Sequence, residues 1–264
     1  MMRLLAVLFA AVLLGANSRA AAALSETDLA HIEAAPQAGA ALPLSLPLQD
    51  LQGATRSLQT WLGKAPSVWV LADFTCQTLC GPIVSIVSEA LRSTGLRPGA
   101  DFRLIVVGMD AKDTVADAAA MKSAQVGNGD GLARHAFFLR TTSVAVAELT
   151  RAFGFRSAYD REHDQFAHPA AAFVVTPSGH IARVLAGLAL DPTDLRLALV
   201  DAGQGRVGSF VDHVRLLCYG FDPARGIYTA AIGRMLASAS AVTILVFAVF
   251  ILILLRREAA SGQE

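Results

Sequence analysis

Five consecutive apolar residues, Val68-Trp69-Val70-Leu71-Ala72, run through Asp73-Phe74-Thr75 into Cys76-Gln77-Thr78-Leu79-Cys80, and an apolar-striped segment from Pro82 to Leu91 follows at once. A short continuous apolar run bounded by polar residues predicts a buried strand, while Ile83, Ile86, Val87, Ala90 and Leu91 recur on one helical face. The cysteines therefore lie where a strand hands over to a helix. Further along, Arg103 to Gly108 predicts a second strand, Val115 to Ser123 a helix, Phe137-Phe138 a short apolar run and Val144 to Phe153 another helix. Ala170 to Thr176 predicts one more buried strand, and Pro177-Ser178-Gly179 turns it into a hairpin with Ile181 to Leu185, proline presetting φ and glycine accepting a positive one. Asp191 followed by Pro192 reads as a cap and first-turn proline opening a last helix that ends near Gly203.

Strands alternating with helices argue for an α/β sandwich. The order β-α-β-α-(β)-α-β-β-α, with an early strand running into a cysteine loop and a late hairpin before a closing helix, is that of a thioredoxin-like domain. The expected fold is thus a central mixed sheet flanked by helices, over residues 46–205, plus one C-terminal transmembrane helix.

The ends set the expected location. Met1-Met2-Arg3, an apolar run from Leu4 to Leu14 and small residues near Ser18 to Ala23 predict a secretory signal over residues 1–23. Residues 24–45 are rich in Ala, Pro and Gln, and read as a linker or loose arm. Leu236 to Leu255 carries no charge over about 20 residues, enough to span the hydrocarbon core as a helix, and Arg256-Arg257 closes it on the cytoplasmic side. We therefore expect a juxtamembrane segment at 206–234, a span at 235–255 and a cytoplasmic tail at 256–264, with the main domain on the periplasmic side of a cell inner membrane. Lys and Arg balance Asp and Glu at 22 each, so no basic surplus points to nucleic acid.

Three cysteines are present, at 76, 80 and 218. In an exported protein a close pair forms a disulfide, binds metal, or alternates between the two. A spacing of four puts both sulfurs on one face if the segment is helical, and a helix N-terminus favours the thiolate. Two ordinary buried cysteines or a structural disulfide remain the alternative. Among the histidines, His31 lies in the arm, His180 at a hairpin start, His135 before an apolar run without a partner motif, and His163 in the polar stretch Asp160 to Asp164, read as a wet loop. His168 precedes Pro169 and a buried strand, and in a thioredoxin-like sheet the loop entering that strand packs beside the cysteine loop. Cys76, Cys80 and His168 are therefore the expected metal ligands. Two thiolates and one imidazole suit a copper ion, with zinc the chief competitor. Zinc would want a fourth ligand, for which Asp73 and Asp110 are the neighbours to consider. Cys218 and His213 read either as auxiliary ligands or as part of a segment packed near the membrane.

With these residues in place, the chain resembles the Sco/SenC family of copper chaperones for cytochrome c oxidase, over about residues 45 to 203. Phe74 to Cys80 is similar to the family's FT-x-C-x-x-x-C region, lacking one residue before the first cysteine. Val107 to Thr114 is similar to its V-S-x-D-P-x-x-D-T segment, and Phe166-Ala167-His168 with Val174 to Gly179 to its histidine, strand and turn. Gln77 stands where the family usually has proline, Gly81 separates Cys80 from Pro82, Ala167 replaces the common aspartate, Ala111 replaces a proline, and the anchor is C-terminal, all of which place the chain on a divergent branch. The resemblance implies delivery of copper to the binuclear copper centre of an oxidase, or reduction of the cysteines awaiting that copper. The partner it implies is the oxidase's copper-bearing subunit or another copper chaperone. The alternative is a membrane-tethered thiol-disulfide oxidoreductase cycling Cys76 and Cys80, for which an imidazole beside the thiols is not needed. A peroxidase-like relative would need an arginine near a lone cysteine; Thr75 is adjacent to Cys76, but no arginine is suitably placed.

Overall fold

The computed structural model describes residue 24, residues 29–203, the segments 219–222 and 227–230, and helical positions at 240, 243–245, 247 and 251. Glu33–Ala34 (β1) is followed by a small antiparallel hairpin, Pro47–Gln49 (β2) with Thr55–Ser57 (β3), and by the short helix Leu58–Leu62 (α1). The body then runs Ser67–Ala72 (β4), Cys80–Ser93 (α2), Arg103–Gly108 (β5), Val115–Gln125 (α3), Gly131–Arg134 (α4), Ala136–Leu139 (β6) and Ser143–Ala152 (α5). Phe155–Arg156 (β7), Ala158–Asp160 (β8), Gln165–Ala167 (β9), Ala171–Val175 (β10), Ile181–Ala186 (β11) and Pro192–Ala202 (α6) complete it, and Tyr219–Asp222 (β12) pairs with Ile227–Ala230 (β13).

The central sheet has the order β11-β10-β4-β5-β6. Strands β4, β5 and β6 are parallel, and β10 runs antiparallel to both of its neighbours, so the sheet is mixed. Because side chains alternate along a strand, β4 sends Val68, Val70 and Ala72 into one core and Trp69 and Leu71 into the other. Leu104 and Val106 of β5 join the first, Ile105 and Val107 the second. Helices α2, α3 and α6 cover the first face, while α1, α5 and the β2–β3 hairpin cover the second. This two-faced burial explains why both strands read as unbroken apolar runs.

Helix starts follow the local chemistry. Thr114 and Asp117 form a reciprocal capping box on α3, the Thr142 hydroxyl accepts the Ala145 N–H of α5, and the Asp191 carboxylate accepts from Thr193 with Pro192 in the first turn of α6. The 177–179 turn closes the β10–β11 hairpin, with Gly179 at φ 88°.

Two expectations are corrected. The arm over 24–45 is not loose where it is described: β1 pairs with β7, Ala41 bridges His180, and Leu42 is buried. Gly154 makes that docking possible, since its φ is 56° and a Cβ there would lie 2.1 Å from the Ala35 carbonyl oxygen. The stretch read as a wet loop is exposed over 161–164, as expected, and forms the tip of the β8–β9 hairpin, turned at Asp164 with φ 49°. Helix α2 begins at Cys80, after a run of turns, so the two cysteines do not share a helical face.

Among the described residues no helix is long and apolar enough to cross a membrane. Most of the expected span lies outside those residues, as do the expected signal over 1–23, His213, Cys218 and the tail over 256–264. The described positions of the span are helical, and Ile244, Leu245, Phe247 and Ile251 are exposed.

Candidate functional site

Strand β4 ends in the middle of the sheet, and the loop 73–79 that leaves it carries Cys76 before α2 starts with Cys80. Asp73 shapes this loop, one carboxylate oxygen accepting the Thr75 N–H at 3.0 Å and its hydroxyl at 2.9 Å, while its backbone carbonyl accepts the Cys76 N–H at 3.3 Å. Asp113, from the β5–α3 connection, accepts the Phe74 N–H at 2.9 Å. His168 arrives from the far side of the chain, between β9 and β10.

The fold brings His168 and Cys80 together across 88 residues, with Nε2 2.9 Å from Sγ. The other ring nitrogen, Nδ1, stands 3.1 Å from the Pro169 carbonyl oxygen. A carbonyl only accepts, so Nδ1 carries the proton and Nε2 turns its lone pair toward the sulfur. The ring is steadied by Phe155, centroid to centroid 5.7 Å, and Phe155 packs in turn against Phe173.

Cys76 interacts with the Cys80 thiol and with two further side chains. Its sulfur lies 3.3 Å from the Thr78 hydroxyl and 3.7 Å from the Gln165 side-chain oxygen. Among the described residues, no three His, Cys, Asp or Glu side chains converge as a metal-holding group in this arrangement. Both cysteines are free thiols. Of the two carboxylates considered as a fourth ligand, Asp110 is engaged by Lys112 at 3.3 Å, whereas the buried Asp73 keeps one oxygen without a partner. His163 pairs with Asp160 and His180 with Ser178, and neither contacts the cysteine sulfurs among the described hydrogen bonds.

The two thiols are electrostatically unlike. Burial opposes ionisation of Cys76, but the Thr78 hydroxyl, the Cys80 and Thr78 backbone groups and the Cys80 thiol outweigh it and lower its pKa. Cys80 is almost fully buried, and burial pushes its thiol well up, reinforced by Cys76 and the Asp73 charge against the opposing Asp73 backbone contact. The helix N-terminus that was expected to favour the Cys80 thiolate is thus overridden by desolvation. Burial also lowers His168, against the Pro169 carbonyl and Asp73, which keeps the ring neutral in ordinary buffers. Burial raises Asp113 to about 6, with Asp73 and Asp110 adding to the rise and the Phe74 N–H opposing it.

This asymmetry has a direct readout. On brief exposure of the reduced protein to iodoacetamide, Cys76 should be alkylated first, by about tenfold or more, since each pK unit of separation changes the thiolate fraction tenfold. Cys76 labelling should fall only as pH drops through its lowered pKa. Peptide mapping that found equal labelling, or Cys80 ahead, would overturn the assignment of roles.

Sequence reasoning missed Gln165 and Phe155. Neither sits in a motif; Phe155 lies in β7, which pairs with β1, and Gln165 in β9, which pairs with β8, and only the fold brings them to the imidazole and the sulfur. A cavity of about 290 Å³ opens beside Cys76 and His168, rimmed by Leu79 and by Leu29 and Ile32 of the arm.

No family model matches the sequence, and no curated protein does. Solved structures do. A protein of Aquifex aeolicus assigned to electron transfer matches with a TM-score of 0.56 at 24% identity, over 66% of this chain and 97% of that one. A SCO1/SenC family lipoprotein of Bacillus anthracis matches with 0.52 at 12% identity, over 64% and 98%. ScoI of Arabidopsis thaliana, solved with copper bound, matches with 0.50 at 12% identity, over 60% and 96%. At these identities the likeness is one of fold: the described domain has the thioredoxin-like fold of Sco/SenC structures.

Proposed function

We propose that this chain is a divergent Sco/SenC protein that binds one copper ion through Cys76, Cys80 and His168. It either carries that ion to the binuclear copper centre of a cytochrome c oxidase or prepares the thiols that receive it. The observation that carries the reading is the 2.9 Å approach of His168 Nε2 to Cys80 Sγ, with Nδ1 tied to a carbonyl. A metal-ligating imidazole is held in this way, its other nitrogen donating to a fixed acceptor.

The donor chemistry fits the ion. Two sulfurs and one imidazole are soft ligands, and three suffice for copper(I), whereas zinc wants four. His168 is already neutral, so loading removes protons only from the thiols. Cys76, already within reach of the Cys80 thiol, would exchange its Thr78 and Gln165 contacts for the ion. The copper-bound Arabidopsis relative of the same fold lends support.

For location we propose a periplasmic domain tethered to the inner membrane by the span over 235–255. An uncharged run closed by Arg256-Arg257, together with exposed Ile244, Leu245, Phe247 and Ile251 on helical backbone, supports this. The partner is the copper-bearing oxidase subunit or another copper chaperone.

The unlike thiols favour a second reading, thiol-disulfide exchange. The Cys76 thiolate would attack a substrate disulfide and release one substrate thiolate. Cys80, losing its proton to His168 Nε2, would then displace the second and close the Cys76–Cys80 disulfide. Metal analysis separates the two. The reduced full chain, exposed to equal copper(I) and zinc and then desalted, should retain one copper per chain. Retention of zinc instead, or of no metal, removes the copper reading and leaves the exchange reading.

A further inference from the structure

The connection Asp110–Thr114 between β5 and α3 offers no ligand, yet it touches both halves of the site. On one side Asp113, buried, accepts the Phe74 N–H at 2.9 Å and the Thr75 hydroxyl at 3.4 Å, which fixes the cysteine loop. On the other side Lys112 reaches the β8–β9 hairpin. Its Nζ donates to Asp164 and, at 3.2 Å, to the Tyr159 hydroxyl, and it lies 5.3 Å from the centre of the Tyr159 ring. Asp110 aims that lysine, accepting its backbone N–H at 2.8 Å and facing Nζ at 3.3 Å. The Asp110 carbonyl also accepts the Asp113 N–H at 3.2 Å, so the two grips are parts of one turn.

The hairpin needs such a grip. Among the described residues, strands β8 and β9 pair only with each other and form no ladder with the central sheet. A lone two-stranded hairpin is at best marginally stable in water, so its position depends on side chains. The Tyr159 ring packs on Phe166 at 5.1 Å, Phe166 packs against the second core, and His168 follows two residues later. A single exposed ion pair contributes little. Here one ammonium meets two carboxylates, a hydroxyl and a ring, drawn from both elements.

We propose that Asp110–Thr114 is a bracket that sets the spacing between the cysteine loop and His168, with Lys112 as the positioning residue for the histidine hairpin. As a statement about metal affinity it rests on the copper reading above. As a statement about His168 it does not.

Lys112 is exposed, so Lys112→Met should leave the fold and melting temperature unchanged. In the full chain its copper(I) affinity, measured by chelator competition, should fall about tenfold if the hairpin then seats His168 only about a tenth of the time. Lys112→Arg should restore most of it, and high salt should weaken the wild type but not Lys112→Met. In the reduced, metal-free protein, the His168 ring signals of labelled histidine should broaden or shift in Lys112→Met. Arg97→Met, which breaks the distant pair with Asp101, should change neither readout. Unchanged affinity together with unchanged His168 signals in Lys112→Met would overturn the bracket. If the wild type holds no copper, the copper reading fails by itself, and the metal-free His168 signals still decide the bracket.

Discussion

His168→Ala is expected to weaken copper(I) binding by at least about a hundredfold while leaving the domain folded. Losing an outer partner of a metal ligand already costs about 10–100-fold in affinity, and His168 is itself the nitrogen donor. The substitution leaves two sulfurs, one of them buried beneath the vacated ring. Stability should suffer little, because the imidazole is half-buried and, among the described residues, its contacts are the Cys80 sulfur, the Pro169 carbonyl and the Phe155 ring. The measurement is chelator competition on the reduced full chain, with circular dichroism to check the fold. The same variant sorts the two functional readings. A copper carrier loses its cargo, while a thiol-disulfide exchanger keeps its Cys76 nucleophile and slows only in the step that needs the Cys80 proton removed. Unaltered copper affinity in His168→Ala would remove the histidine from the site.

Much of the fold was legible for one physical reason: elements buried on two faces advertise themselves. β4, β5 and β10 lie inside the sheet and read as unbroken apolar runs, and helices α3, α5 and α6 begin at residues whose side chains cap them. The start of α2 was less legible. Its cap position is Leu79, which makes no side-chain bond, so nothing in the pattern marks the helix as beginning at Cys80 rather than Pro82. The arm failed for a related reason. A two-residue strand has no period, and its pairing with β7 depends on a close backbone approach at Gly154 that no alternation encodes. At the site, Cys76 and Cys80 are marked by type and spacing, and His168 by the strand that follows it. Gln165, Tyr159 and Lys112 are ordinary polar residues on short segments, placed by a turn at Asp164 and a loop after β5, and their roles emerge only when the two segments meet.

Phe173→Ala should be the most destabilising of these substitutions, costing about 3–5 kcal/mol, as large-to-small changes of fully buried aromatics do. Phe173 sits in β10 without solvent exposure, its ring 4.4 Å from that of Phe153 and 6.1 Å from that of Phe155. Phe153 contacts Trp69 at 5.8 Å and Phe155 contacts His168, so the ring joins the sheet centre to the imidazole. Against a usual total of about 5–15 kcal/mol, such a loss lowers the melting temperature by about 6–20 °C for a domain of this size. Phe173→Leu, which keeps most of the volume, should cost much less, since volume-conserving swaps stay under about 1.5 kcal/mol. Denaturation of the reduced, metal-free protein measures both. Because copper bound to the folded state raises stability by mass action, the metal should recover part of the Phe173→Ala deficit and much less of it in a Phe173→Ala/His168→Ala double variant. A loss below about 1 kcal/mol in Phe173→Ala would mean that the aromatic column is not the core that seats the histidine. Equal recovery by copper in the single and double variants would mean that the ion is held somewhere other than at that ring.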